Sequence, residues 1–280
     1  MSSTSVTQTQ HPLFPALDDK ATVQVHALSA GHLTLPGRHP ASDAPRNTVP
    51  SLSFLVQHVD FESGKRTRIL FDLGLRRDSS RPSDPTPTDP DVVKSLAAGG
   101  LTPNDIDYVI LSHLHRNHIG DPSAFPHSTF ITGPDSLRHS HPDRALPPAP
   151  RTIELPSPAS GAAPPFGAWR PCPARLLPHT LDVFADSSLL VVDAPPARLV
   201  LLARTGPGRL VCLAGDAGDD GGPTCGGDAD DVAAAAAETA GRLRRLREEL
   251  GVEVVGAHDG AWERGNGGRF WGAEVEEGME

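Results

Sequence analysis

The chain has 280 residues, 38% of them hydrophobic, enough to bury a sizeable core in one large or two small domains. Its 25 basic and 35 acidic residues leave a net charge of −10, and no basic stripe interleaves with aromatics. Nucleic acid and anionic membrane surfaces are therefore poor partners, and a small-molecule substrate is the better expectation, with the oligomeric state left open. Cys172, Cys212 and Cys225 are odd in number and lack CxxC spacing, which argues against a disulfide framework and for a reducing, cytoplasmic compartment. The opening "MSSTSVTQTQ" has neither the charge nor the apolar run of a leader, and no later stretch approaches the roughly 18 apolar residues of a membrane span.

In chain order, residues 1–20 are Ser/Thr/Gln-rich and read as a flexible segment ahead of a domain expected over 21–265, with 266–280 as a tail. "ATVQVHALSAG" alternates as a first strand; "SLSFLVQHV" and "TRILFDLG" read as two more, joined by the hairpin "FESGKR". Asp89 as N-cap and Pro90 at the first helical position would open a short helix over "DVVKSLAAGG". "IDYVILS" is a buried strand that delivers His113; "STFITG" is another, and "GPDSLRHS" starts a short helix. Residues 140–178 are proline-rich and read as a long surface loop near the site. "LDVFA", "LLVVDA", "RLVLLART" and "RLVCLAGD" follow as strands. A clear helix comes next, capped by Asp230 or Asp231, with an apolar stripe of Val232, Ala236, Leu243, Leu246 and Leu250 and a stop at Gly251. "VEVVGAHDG" closes the series as a strand with His258 at its end. Runs of strands separated by helices indicate an α+β or layered α/β domain rather than a doubly wound parallel sheet.

"SHLHRNHIGD" sets His113 and His115 two apart, so that both leave an extended backbone on one face, and puts His118 three further on, where the chain must turn. Neutral imidazole is the commonest protein metal ligand, and a divalent ion needs three or four such donors, so this short loop is a candidate metal cradle. No Ser nucleophile elbow competes with it: Ser112 does not lie in G-x-S-x-G, and Cys212 sits inside an apolar strand. "GDAGDDGGPTCGGDADD" is dense in acids without the EF-hand order and reads as a flexible acidic loop. Trp169, Trp262 and Trp271 could line a substrate mouth, although anchoring loops to the core is the commoner role of such residues. His127, His139 and His141 read as solvated loop residues.

"DYVILSHLHRNHIGD" resembles the strand and H-x-H-x-D-H motif of the metallo-β-lactamase superfamily. "ILFDLG" resembles the Asp-x-Gly that precedes that motif, through Asp72 and Gly74. "LAGD" stands where the family has its bridging carboxylate, Asp216 here, and "VVGAHDG" places His258 as the last ligand. Order and spacing agree over roughly residues 22–263, most closely with the lactonase-like branch, in which "DVFADSSLLVVDAP" and "LLARTG" also have counterparts. The resemblance implies an αββα sandwich carrying one or two Zn²⁺ ions. It further implies hydrolysis of a lactone or other ester-like bond by metal-bound hydroxide, which needs no side-chain nucleophile. By position, His113, His115 and Asp216 would serve a first metal, and His118, His258 and Asp216 a second, with Asp72 supporting them.

Two positions depart from the family pattern. Asn117 stands where the family has an acid, and an amide is a neutral, weaker donor that cannot exchange a proton near pH 7, so second-site affinity should fall. After "LLVVDAP" the branch has a P-G-H segment whose histidine completes the first site, whereas "DAPPARLVLLART" carries no histidine there. His179, Asp193, Asp219 and Asp220 are the residues near strand ends that could substitute. Beside the hydrolase stand two other readings: a degenerate family member acting as a binding protein, and a thioesterase, which differs only in substrate.

Overall fold

Alternation along the strands sorts their side chains into three apolar layers, and those layers define the architecture. In the computed structural model, which describes residues 21–35, 47–76, 89–139, 146–172, 176–217 and 229–273, strands β1 (Gln24–Leu35), β2 (Asn47–Val59), β3 (Arg66–Phe71), β4 (Tyr108–Ile110), β5 (Thr129–Thr132) and β6 (Thr152–Glu154) form one sheet in that order. β1–β3 are antiparallel, and β3–β6 run parallel. The second sheet runs β11 (Glu253–Gly256), β10 (Arg209–Gly215), β9 (Arg198–Gly206), β8 (Leu189–Ala194) and β7 (Thr180–Asp182), antiparallel except for the parallel pair β10–β11.

Leu52, Phe54 and Val56 of β2 enter the layer between the sheets, where they meet Leu189, Val191, Leu199 and Leu201. Leu55, one residue out of phase, enters an outer layer with Val92 and Leu96 of helix α1 (Val92–Ala98). On the far side, Leu190, Val192, Val200 and Leu202 pack under Leu243 and Leu246 of helix α3 (Ala229–Leu250). Helix, sheet, sheet and helix are thus stacked as an αββα sandwich of the α+β class. The short helices α2 (Arg116–Ile119) and α4 (Gly260–Gly265) sit at one rim of it. Among the described residues no helix is long and apolar enough to cross a membrane.

Several local expectations are corrected. The cap of α1 is Asp91, whose side chain accepts from the Lys94 amide at 2.8 Å; Asp89 instead pairs with the exposed Lys94 ammonium. Helix α3 already includes Ala229, so Asp230 and Asp231 lie within it rather than at its cap. "GPDSLRHS" yields only a single 3-10 turn, Leu137–His139. The supposed loop over 140–178 contains β6, whose three half-buried residues are too few to show alternation but which extends the first sheet beside β5. The expected N-terminal segment, His141, and the middle of the acidic loop over 218–228 with Asp219, Asp220 and Cys225 lie outside the described residues.

The three tryptophans act as anchors. The Trp169 indole donates to Pro156 O at 2.9 Å and the Trp262 indole to Glu253 at 2.7 Å. Trp271 donates to Leu96 O at 3.2 Å and stacks edge-on against His26. Phe270 and Trp271 pack against the core, so ordered structure continues past residue 265.

Candidate metal centre

Strand ends converge on one rim of the sandwich. Asp72 follows β3, Ser112 and His113 follow β4, Asp216 follows β10 and His258 follows β11, all at the C-terminal ends of parallel strands, the edge at which open α/β sheets bind ligands. His115 is the N-cap of α2 and His118 lies within it, so the turn of that helix brings the third imidazole back toward the first two. β10 reaches the rim through Gly215 at φ +55°; a Cβ there would lie 2.7 Å from the Ser112 Cβ, so only glycine permits this approach.

The result is two groups that share one carboxylate: His113, His115 and Asp216, and His118, Asp216 and His258, with the potential ligand atoms of each group within 4.8 Å of one another. Asp216 Oδ2 lies 3.6 Å from His113 Nε2, and Asp216 Oδ1 lies 3.1 Å from His118 Nε2 and 3.3 Å from His258 Nε2. Asp216 Oδ1 is buried and has no partner in hydrogen-bond geometry. A buried acceptor surrounded by imidazole nitrogens is what a divalent cation satisfies, and the three His and Asp donors of each group suit Zn²⁺ chemically.

Behind the ligand atoms lies a second layer of contacts. Asp72 accepts from the Ser112 amide and hydroxyl, both at 2.7 Å, and from His118 Nδ1 at 2.7 Å. It is 1% exposed and held at φ +62°. These contacts orient the His118 ring, the role in which carboxylates commonly support metal-binding histidines. His258 Nδ1 donates to Pro50 O at 2.6 Å, and the Ser51 hydroxyl donates to Asn117 O at 2.9 Å, tying β2 to both histidine loops. The Asn117 amide nitrogen lies 2.8 Å from Nε2 of both His118 and His258.

Charge is distributed unevenly across the centre. Burial, reinforced by the neighbouring His118, lowers the His113 pKa well below 6.5. Burial also opposes charge on His118, but Asp216 and Asp72 outweigh it and push its pKa up to about 10. Asp216 is raised by burial and pulled the other way by His118, His113 and His258, which together hold it well below the usual carboxylate range.

The structure brings together all five residues singled out in the sequence, His113, His115, His118, Asp216 and His258, with Asp72 behind them. Among the described residues, His179 and Asp193 belong to neither group: the Asp193 amide donates to His179 O, and both lie along the β7–β8 pair. Sequence reasoning missed Arg198, which opens β9, is 9% exposed, and donates through Nη1 to the Asp216 carbonyl at 2.8 Å. The available signal was a lone cation heading the apolar run "RLVLLA" in the segment where a histidine was sought. Pro50 and Ser51 were missed as well, because a backbone carbonyl and a strand serine carry no motif.

Residues 46–258 match the family profile described as the metallo-beta-lactamase superfamily. A cytochrome P450 monooxygenase mpaDE of Penicillium roqueforti is 31% identical over 60% of this chain, and a gamma-lactamase FDB1 of Fusarium pseudograminearum is 32% identical over 30% of it. The matches span only 22% and 23% of those relatives' own lengths. Among solved structures, a quorum-quenching N-acyl homoserine lactone lactonase superposes with a TM-score of 0.62 at 19% identity, covering 87% of this chain and 95% of that one. With the αββα layers and the rim constellation already in place, the chain belongs to the metallo-beta-lactamase superfamily.

Proposed function

We propose that the protein is a metal-dependent hydrolase of lactones or related ester-like bonds, with His113, His115, His118, Asp216 and His258 as its ligand set and Zn²⁺ as the resident ion. The observation that carries this reading is the single buried carboxylate, Asp216, shared by two imidazole groups whose potential ligand atoms each lie within 4.8 Å of one another. The gamma-lactamase relative and the lactonase neighbour support the substrate class, since both names concern cyclic acyl compounds. The chemistry supplied by a divalent cation held there is Lewis-acid polarisation of a carbonyl and activation of water near neutral pH.

The chain's own residues set the conditions. Asp72 and Ser112 lock the His118 and His113 rings, and the Pro50 carbonyl locks His258, so the ligand nitrogens are preorganised. Half-buried His115, Asn117 and His258 mark the side open to substrate, whereas His113 and His118 close the floor. Asn117 cannot exchange a proton near neutral pH, so departure of a poor leaving group gains no help at that position. Lactones, aryl esters and thioesters are accordingly favoured over unactivated amides.

The test is hydrolysis of a panel of lactones, aryl esters, acyl thioesters and lactams by purified protein, before and after chelation and Zn²⁺ restoration. Chelator-sensitive turnover that Asp216→Ala abolishes is expected. A folded, metal-loaded protein that turns over none of the panel would leave the binding-protein reading in its place.

A further inference from the structure

Resting on the reading of this rim as a hydrolytic centre, we infer that Arg198 is its anion-recognition residue: the buried guanidinium binds a carboxylate that the substrate carries near the bond to be cleaved.

Arg198 is held between the loops that supply the ligands. It opens β9, and the next residue, Leu199, donates its amide to Ser112 O at 2.7 Å, which fastens the start of that strand to the residue before His113. From there the side chain reaches the Asp216 carbonyl, to which Nη1 donates at 2.8 Å. Its charge is accordingly among those that act on His113.

A cation in this position calls for an anion. Arg198 is 9% exposed, and a buried charge is strongly unfavourable unless an opposite charge answers it. The Asp216 carbonyl is a neutral acceptor, and the Asp216 carboxylate is turned to His113, His118 and His258 at 3.6, 3.1 and 3.3 Å. Among the described residues no carboxylate forms an ion pair with Arg198. Exposed Lys94 and Arg245, for which water would suffice, have carboxylate partners in Asp89 and Glu249.

The donors tell the same story. A guanidinium carries five N–H groups in a planar fork, and one of the Arg198 donors is committed to a described acceptor. Its other nitrogens are not among the described atoms that are both sealed from solvent and unpartnered, so they stay within reach of a ligand. A guanidinium keeps its proton and cannot ligate a metal, so in the segment where a histidine was sought this residue adds fixed charge and donors instead. A carboxylate, taken up through two parallel hydrogen bonds, matches that charge and that fork. The substrate class narrows to lactones or esters that carry a carboxylate near the scissile carbonyl.

The test compares, on Zn²⁺-loaded protein, γ-butyrolactone bearing a γ-carboxylate with the matching γ-carboxamide. The wild type should favour the carboxylate by about 10–100-fold in kcat/KM, the range expected for hydrogen bonds to a charged group, and chiefly through KM. Arg198→Met should bring that ratio near one, whatever the absolute rates, and Arg198→Lys, which keeps the charge and loses the fork, should fall between. If Arg198 merely braces the Asp216 carbonyl, both lactones slow together and the ratio is unchanged, which would overturn the inference. Nitrogen NMR of the wild-type guanidinium needs no variant to fold: the Arg198 signals should shift with glutarate and stay in place with glutaramide. Signals that ignore glutarate would likewise overturn it. A shift with glutarate but no turnover of any lactone or ester would support the anion site and overturn the hydrolase reading.

Discussion

Asp193 is the penultimate residue of β8, 8% exposed, and its carboxyl is pushed up to about 6 by burial, which outweighs the opposing pull of Arg242. Its folded-state pKa thus exceeds the ordinary 3.8, so the folded protein holds this proton more tightly than the unfolded chain does. The associated stability is fully present below pH 3.8 and is lost as pH rises through about 6. At pH 8 the buried carboxylate costs about 3 kcal/mol, from 2.2 pK units (6 − 3.8) at 1.36 kcal/mol each, and at pH 4.5 about 1 kcal/mol. Asp193→Asn keeps the shape and removes the charge. It should therefore stabilise the protein by up to about 3 kcal/mol at pH 8 and by only about 1 kcal/mol at pH 4.5. Urea denaturation of both proteins at the two pH values, under chelation so that metal does not contribute, measures the difference. A variant equally or less stable than wild type at pH 8 would refute the reasoning, because it would mean that the ionised carboxylate is well partnered in the fold.

Other expectations follow from the same structure. Asp72→Ala removes the acceptor of three buried hydrogen bonds, and should lower stability by roughly 2–4 kcal/mol and metal affinity by about 10–100-fold; denaturation and calorimetry read the two effects separately. Leu246→Ala, at a position 0% exposed under α3, should cost about 2–5 kcal/mol while leaving bound metal per folded molecule unchanged. Because His118 is held protonated up to about pH 10, taking up a divalent ion releases its proton; apparent affinity should rise by up to about tenfold per pH unit between pH 6 and 8, with heats of binding that depend on the buffer. Pro50 supplies its carbonyl rather than its ring to His258, so Pro50→Ala should alter metal affinity far less than Asp72→Ala does.

Much of the centre was legible in the sequence, because metal chemistry demands particular side chains and strand periodicity announces where they emerge. His113 and His115 at i and i+2 after an apolar run, a carboxylate after "LAG" and a histidine after "VVGA" needed no coordinates to be noticed. Strands of five or more alternating residues were read correctly for the same reason, as was α3 from its leucine stripe. What failed was short or local: β6 has three residues, and the choice among Asp89, Pro90 and Asp91 as a helix boundary depends on one hydrogen bond.

Tertiary structure alone decided how those residues divide among themselves. The linear order does not say that Asp216 turns one oxygen toward His118 and His258 and the other toward His113. It does not place the Arg198 guanidinium on the Asp216 carbonyl, because these residues lie 18 positions apart, one opening β9 and the other following its neighbour β10. Side-chain identity and spacing are properties of the chain, and they nominate the chemistry. The direction of a lone pair, and which neighbour meets it, arises only when two sheets and their rim loops are packed together.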